Sequence, residues 1–219
     1  MTSHYMKMLD YQRDIMIREH LLGRGIRNQA VIEAMRKVPR EVFVDKRIQE
    51  KAYEDYPLPI AEGQTISQPY IVAYMTEALE LGAADRVLEI GTGSGYAAAV
   101  LSRIVTTVYS VERLGGLVQE ARQRLALLGY SNVVIHEGDG TLGWPEHAPY
   151  DAIVVTAGAP AVPQPLLEQL ALGGRLVIPV GIFRDMQTLV RMRRVAEHDY
   201  RREELCGVRF VPLIGAAGW

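Results

Sequence analysis

The chain has 219 residues, 48% of them hydrophobic and 23% charged, enough for one α/β domain with a substantial core. A formal charge of -2 and a pI near 6.2 argue against a protein that holds nucleic acid by bulk electrostatics. The single cysteine, Cys206, allows no intrachain disulfide, and the five histidines show no ligand spacing, so no metal site is expected.

The first residues carry no apolar signal-peptide core, and no stretch approaches the ~18 uninterrupted apolar residues of a membrane span. The expectation is a soluble, cytoplasmic monomer without a membrane or nucleic-acid partner. Residues 4–22 have apolar positions at mixed helical spacing (Met8, Tyr11, Ile15, Leu22) and end at Gly23 and Gly25. A second helix is expected with Asn28 as its N-cap, burying Val31, Met35 and Val38 and stopping before Pro39. Residues 51–69, punctuated by Pro57, Pro59, Gly63 and Pro69, read as a long ordered loop, a feature that is often functional.

From Tyr70 the pattern alternates: helix Tyr70–Leu81, strand Arg86–Ile90, helix Tyr96–Ile104, strand Val108–Glu112, helix Leu117–Leu128 and strand Val133–Glu137. Strand Ala152–Thr156, helix Gln164–Leu172 and strand Arg175–Val180 continue it. Short β-branched strands between helices indicate a doubly wound, mostly parallel sheet with helices on both faces. Leu189–Arg193 and Val208–Leu213 are expected as a closing antiparallel pair, and the N-terminal helices as an appendage to a Rossmann-like core. The organisation expected is one domain over 1–219, with 1–69 carrying helices and a substrate or cofactor loop and 70–219 the core. Cys206, at the head of an apolar run, reads as a core residue. Arg184, Arg191, Arg193, Arg194, Arg201 and Arg202 cluster late in the chain and read as a solvated face.

The strongest local signal is Glu89-Ile-Gly91-Thr92-Gly93-Ser94-Gly95, which leaves a strand and opens a helix. Glycines there permit a sharp turn and close ligand approach at a helix N-terminus. The G-x-G-x-G spacing departs from the G-x-G-x-x-G of dinucleotide sites, where the last glycine would fall on Tyr96. The carboxylate of Glu89 suits a ligand with a cationic amino-acid end better than one with a pyrophosphate. Glu112 lies 21 residues beyond Gly91, at a strand end where a carboxylate can accept both ribose hydroxyls. Asp139, between Gly138 and Gly140, stands at the end of the next strand, where it can accept from an adenine amino group. Three successive strand ends thus point to a nucleoside cofactor.

Beyond these generic signals, the chain resembles the protein-L-isoaspartate (D-aspartate) O-methyltransferase family over nearly its whole length. The resemblance rests on residues 52–60, on Gly63-Gln-Thr-Ile-Ser-Gln-Pro-Tyr-Ile-Val-Ala73, on the glycine turn and on Gly138-Asp-Gly140. It continues through residues 150–157, 173–181 and Val208-Arg-Phe-Val-Pro-Leu213. The Gly63–Ala73 and Val208–Leu213 segments are the most particular to that family. The resemblance implies S-adenosylmethionine (AdoMet) as cofactor, leaving as S-adenosylhomocysteine, held by Glu89, Gly91, Thr92, Gly93, Gly95, Glu112, Asp139, Gly140 and Gln187. It implies that Ser67 is the catalytic residue, with Gln64, Thr65, Ile66 and Val211 binding the substrate. The partners implied are proteins and peptides carrying L-isoaspartyl or D-aspartyl residues, whose methyl esters would go on to a succinimide and repair.

The chemistry is consistent with the absence of a catalytic triad, because a carboxylate is already ionised at neutral pH. Two alternatives stay open at this stage. One is an AdoMet-dependent methyltransferase for a small molecule or RNA, although Thr156-Ala-Gly-Ala-Pro160 lacks the amide and aromatic common in base-methylating enzymes. The other is a non-catalytic AdoMet-binding protein, against which the intact Gln64–Ser67 segment speaks.

Overall fold

Asn28 sets the start of its helix as expected: its side-chain oxygen accepts from the Ala30 and Val31 amides at 3.0 and 3.3 Å. The computed structural model describes residues 3–183 and 185–219, so Arg184 of the basic cluster lies outside the described residues. Helix α1 (Ser3–Ile15) runs into π-helical turns over Met16–Leu21, and α2 spans Gln29–Lys37. Short 3-10 helices follow at Arg40–Phe43 and Lys46–Lys51. The expected long loop contains a small antiparallel ladder, β1 (Leu58–Pro59) with β2 (Thr65–Ile66). Pro69 then occupies the first turn of α3 (Pro69–Ala78), where a missing amide proton costs nothing.

The remaining elements alternate: β3 (Arg86–Ile90), α4 (Tyr96–Ser102), β4 (Thr107–Glu112), α5 (Gly115–Leu127), β5 (Val133–Glu137) and β6 (Tyr150–Val155). Then come α6 (Gln164–Glu168), β7 (Leu170–Phe183), β8 (Met186–Ala196) and β9 (Asp199–Val208). They form a seven-stranded sheet in the order β5-β4-β3-β6-β7-β8-β9. Neighbouring strands are parallel from β5 to β7, and β8 and β9 run antiparallel. Strand order reverses at β3, whose neighbours are β4 and β6, so the crevice of a doubly wound fold opens beyond these carboxyl ends.

Alternation along the strands builds two cores. Val87, Ala152, Val154 and Val177 face one side, with α4, α5 and residues of the N-terminal helices such as Met16, Ile17 and Met35. Leu88, Ile90, Ile153, Val155 and Leu176 face the other, with Leu166 and Tyr150. The N-terminal helices therefore cover one face of the sheet, and their apolar residues belong to its core. No helix of the described residues is long and apolar enough to cross a membrane.

The closing strands differ from expectation. The last strand is Asp199–Val208, and Val208 is only its final residue; residues 209–213 leave the sheet, and Pro212 bridges to Gly158. An edge strand with a wet face needs no apolar alternation, so Arg201, Arg202 and Glu203 concealed it. Helix α6 stops at Glu168, four residues before the expected end, because Leu170 already pairs with Tyr150 of β6. Cys206 is half-buried on that edge strand and packs against the first core from its rim. The basic cluster is more engaged than a solvated face: Arg191 bridges Glu80 and Glu203, Arg193 reaches Glu80, and Arg194 donates to the Leu170 carbonyl.

Candidate active site

The glycine turn joins β3 to α4 with Gly91, Gly93 and Gly95 all at positive φ (97°, 52° and 86°). Only glycine adopts these conformations without strain. Space matters as well at Gly91, where a Cβ would lie 2.3 Å from Thr156 Oγ1. That hydroxyl donates to the Ile90 and Gly91 carbonyls at 3.0 and 2.8 Å, tying the end of β6 to the turn. Gly95, the cap of α4, instead backs onto Leu125 of α5 and lines neither chamber described below.

Glu89 lies beneath the turn, fully buried. It accepts from Ser110 Oγ, which is 2.6 Å from Thr92 Oγ1, so a polar chain runs from the strand into the loop. Its Oε1 has no hydrogen-bond partner. Burial pushes the Glu89 carboxyl up to about 8; the Ser110 bond opposes this, and the charge of Glu112 adds to it. Glu112 itself stands at the crevice with one oxygen accepting from the Gly93 amide at 3.0 Å and the other from the Leu114 amide at 3.1 Å. Each oxygen keeps a lone pair for a further donor.

Two chambers occupy the crevice, of about 280 and 690 Å³. The smaller is walled by Glu112, Gly140 and the apolar side chains of Ile90, Val111, Leu114 and Ile214. The larger is walled by Ile66, Ser67, Tyr96, Arg209 and Phe210, among others. They share Thr65, Gly91, Gly93, Thr156, Val211 and Pro212. The Ser67 hydroxyl makes no hydrogen bond among the described residues and so is available to a ligand. Gln64, expected beside the substrate, lines the smaller chamber, whereas Thr65 and Val211 face both.

Two expected cofactor contacts have other partners. Asp139 Oδ1 accepts from Thr141, and its Oδ2 accepts from the Ala216 amide at 2.7 Å, so it ties down the C-terminal tail. Burial opposes its ionisation, but the bonds from Ala216 and Thr141 outweigh that and hold its pKa below the usual carboxylate range. Gln187 is buried off both chambers; its oxygen accepts from the Phe210 amide at 2.8 Å and so seats the Phe210–Pro212 wall. Sequence reading missed Thr156, Ser110, Phe210 and Arg40. Signals existed for Phe210, inside the Val208–Leu213 segment, and for Arg40, which with Glu41 interrupts the apolar run from Val38 to Val44.

The residues present fit AdoMet. Glu112 offers carboxylate acceptors beside an apolar slot sized for a nucleoside, and the glycine turn above the buried Glu89 brings backbone within reach of a ligand. A sequence profile described as protein-L-isoaspartate(D-aspartate) O-methyltransferase matches residues 12–218. Protein-L-isoaspartate O-methyltransferase 2 of Pelobacter propionicus is 75% identical over 210 residues, 96% of this chain and 93% of that one. Protein-L-isoaspartate O-methyltransferase 1 of Geotalea uraniireducens is 70% identical over the full length of both chains. Among solved structures, a protein-L-isoaspartate O-methyltransferase superposes with a TM-score of 0.85 at 32% identity, covering 94% of this chain and 67% of that one. A beta-aspartate methyltransferase of Plasmodium falciparum, in complex with S-adenosyl-L-homocysteine, gives 0.77 at 26% identity over 93% and 98% of the two chains. With the profile spanning nearly the whole sequence, the chain belongs to the protein-L-isoaspartate (D-aspartate) O-methyltransferase family.

Proposed function

We propose that this protein moves a methyl group from AdoMet to the free carboxyl of L-isoaspartyl, and of D-aspartyl, residues in damaged proteins and peptides, opening their repair through a succinimide. The observation that carries the reading is the pair of chambers meeting at Thr65, Gly91, Gly93, Thr156, Val211 and Pro212. A nucleoside held by Glu112, Gly91, Gly93 and Gly140 in the smaller chamber would face that junction from one side. A carboxylate held by Ser67, with Ile66 and Val211 against its peptide, would face it from the other. Glu89, Thr92 and Gly95 serve the cofactor by shaping the turn, Asp139 by fixing the tail, and Gln187 by seating Phe210.

AdoMet supplies a methyl group made electrophilic by its sulfonium. A carbon–oxygen bond replaces a carbon–sulfur bond and both charges vanish, so no proton moves and no base is needed. What the residues supply is alignment and the exclusion of water. Holding two reactants in line is worth roughly 7–11 kcal/mol in well-oriented reactions. Ser67 Oγ orients one carboxylate oxygen by donating to it, leaving the other free to attack. The apolar wall of Ile66, Ile71 and Val154 lowers the local dielectric, which favours a step that destroys charge. In this reading the chain works as a monomeric single domain in the cytoplasm, with protein as its partner.

The test offers AdoMet with a labelled methyl group and two peptides identical except for one isoaspartyl or one normal aspartyl residue. Label is expected in the isoaspartyl peptide alone, in a base-labile ester. Equal transfer to both peptides, or to neither, would refute the substrate assignment.

A further inference from the structure

Pro39 ends α2, and the 3-10 turn that follows directs the side chain of Arg40 inward, where it is 0% exposed. Its Nε donates to the Ala52 carbonyl at 2.6 Å, and its Nη2 to the Ser67 carbonyl at 2.7 Å. Its Cζ lies 4.8 Å from the centroid of the Tyr96 ring, and Tyr96 opens the helix behind the glycine turn. Nη1 has no partner, and no carboxylate lies within ion-pair distance of this guanidinium among the described residues. Burying a cation without a counter-ion is strongly unfavourable, and Met or Leu would fill the space without that penalty. Packing alone therefore does not account for an arginine here.

Both groups that Arg40 touches on the crevice side, Ser67 and Tyr96, are wall residues of the larger chamber. We propose that Arg40 is a positioning residue for methyl transfer: it fixes the Ser67 carbonyl, and with it the direction of the Ser67 hydroxyl, relative to the helix that follows the cofactor turn. The inference rests on the role given to Ser67 above. A planar guanidinium suits this task because its donors form a rigid fork while its face stacks on an aromatic ring. The next residues are held independently: Asp55 accepts from Gln68 Nε2 at 2.9 Å and from the Tyr70 amide at 3.3 Å. Ser67 thus hangs between two anchored points, and Arg40 sets its orientation.

A double-mutant cycle of Arg40→Lys and Ser67→Ala tests this, with kcat and KM for an isoaspartyl peptide, the Kd for AdoMet, and thermal unfolding measured on each variant. Lysine keeps the charge and loses the fork. R40K is expected to lower kcat by about ten- to a hundredfold, with AdoMet Kd changed by less than about threefold. In the S67A background R40K should cost less than about twofold more, because the group it positions is gone. Additive losses, or parallel losses of AdoMet affinity and turnover, would overturn the proposal. If S67A alone turns over like wild type, it is the role of Ser67 that fails, a result read from the single variant and distinct from additivity in the pair. Should R40K not fold, Arg40→Gln enters the same cycle; if neither variant folds, Arg40 serves the fold and the proposal is wrong.

Discussion

On the strand-end side of the crevice, position is set by the glycine backbone and by side chains of the strand ends themselves: three glycines at positive φ, the Thr156 hydroxyl on two carbonyls, and the Glu89–Ser110–Thr92 chain beneath. On the facing side the Ser67 segment is a loop, held from behind by side chains from the N-terminal region, Arg40 and the Arg24–Asp55 pair. The first wall has little freedom because its residues end strands of the central sheet. The second is only as rigid as the side chains that brace it. Cofactor binding and turnover are therefore separable by mutation, and the sharpest variants act on one wall and spare the other.

The largest effect is expected from Gly91→Ala. A Cβ there would meet Thr156 Oγ1 at 2.3 Å on a backbone at φ 97°. Such strain is worth ~2–3 kcal/mol, so AdoMet affinity should fall about a hundredfold by titration calorimetry. An unchanged Kd would mean that the turn does not hold the cofactor.

Next is Glu89→Gln. A carboxyl whose pKa rises to about 8 on folding binds its proton more tightly in the folded state. Its contribution is thus fully present below the ordinary carboxylate range and is lost as pH rises towards 8. Wild type should lose stability between about pH 5 and 8, and E89Q, which cannot ionise, should lose less, with a difference on the order of a few kcal/mol. Denaturant melts at both pH values check this, and parallel curves would show that Glu89 is not the group responsible.

The smallest effect belongs to the brace on the substrate side. Arg24 pairs with Asp55 at 2.6 Å and lies over the Tyr70 ring, but 44% of its side chain is exposed. Solvent screens such a pair, so Arg24→Met should destabilise the protein by about 1 kcal/mol or less. AdoMet affinity should not change.

The same contrast explains how far the sequence could be read. Glycine turns and strand-end acids follow each other in order along the chain, so spacing points to the crevice wall where Gly91, Gly93 and Glu112 stand. Strands β3 and β6 at the centre of the sheet are equally plain, because strands buried on both faces are almost wholly apolar. Strand β9 is an edge with a wet face, and its charges hide it. The Arg40–Ser67 contact joins residues 27 apart through a buried guanidinium, which no local pattern encodes. Gln187 and Asp139 carry contacts that no local pattern encodes: their hydrogen bonds go to Phe210 and to the C-terminal tail.

The separation of the two walls is tested most directly by Ser67→Ala, with AdoMet Kd and the rate of transfer to an isoaspartyl peptide measured on the same preparation. The account predicts a Kd within about twofold of wild type and a rate at least about tenfold lower. Loss of AdoMet binding in step with the rate would contradict it, placing Ser67 with the cofactor.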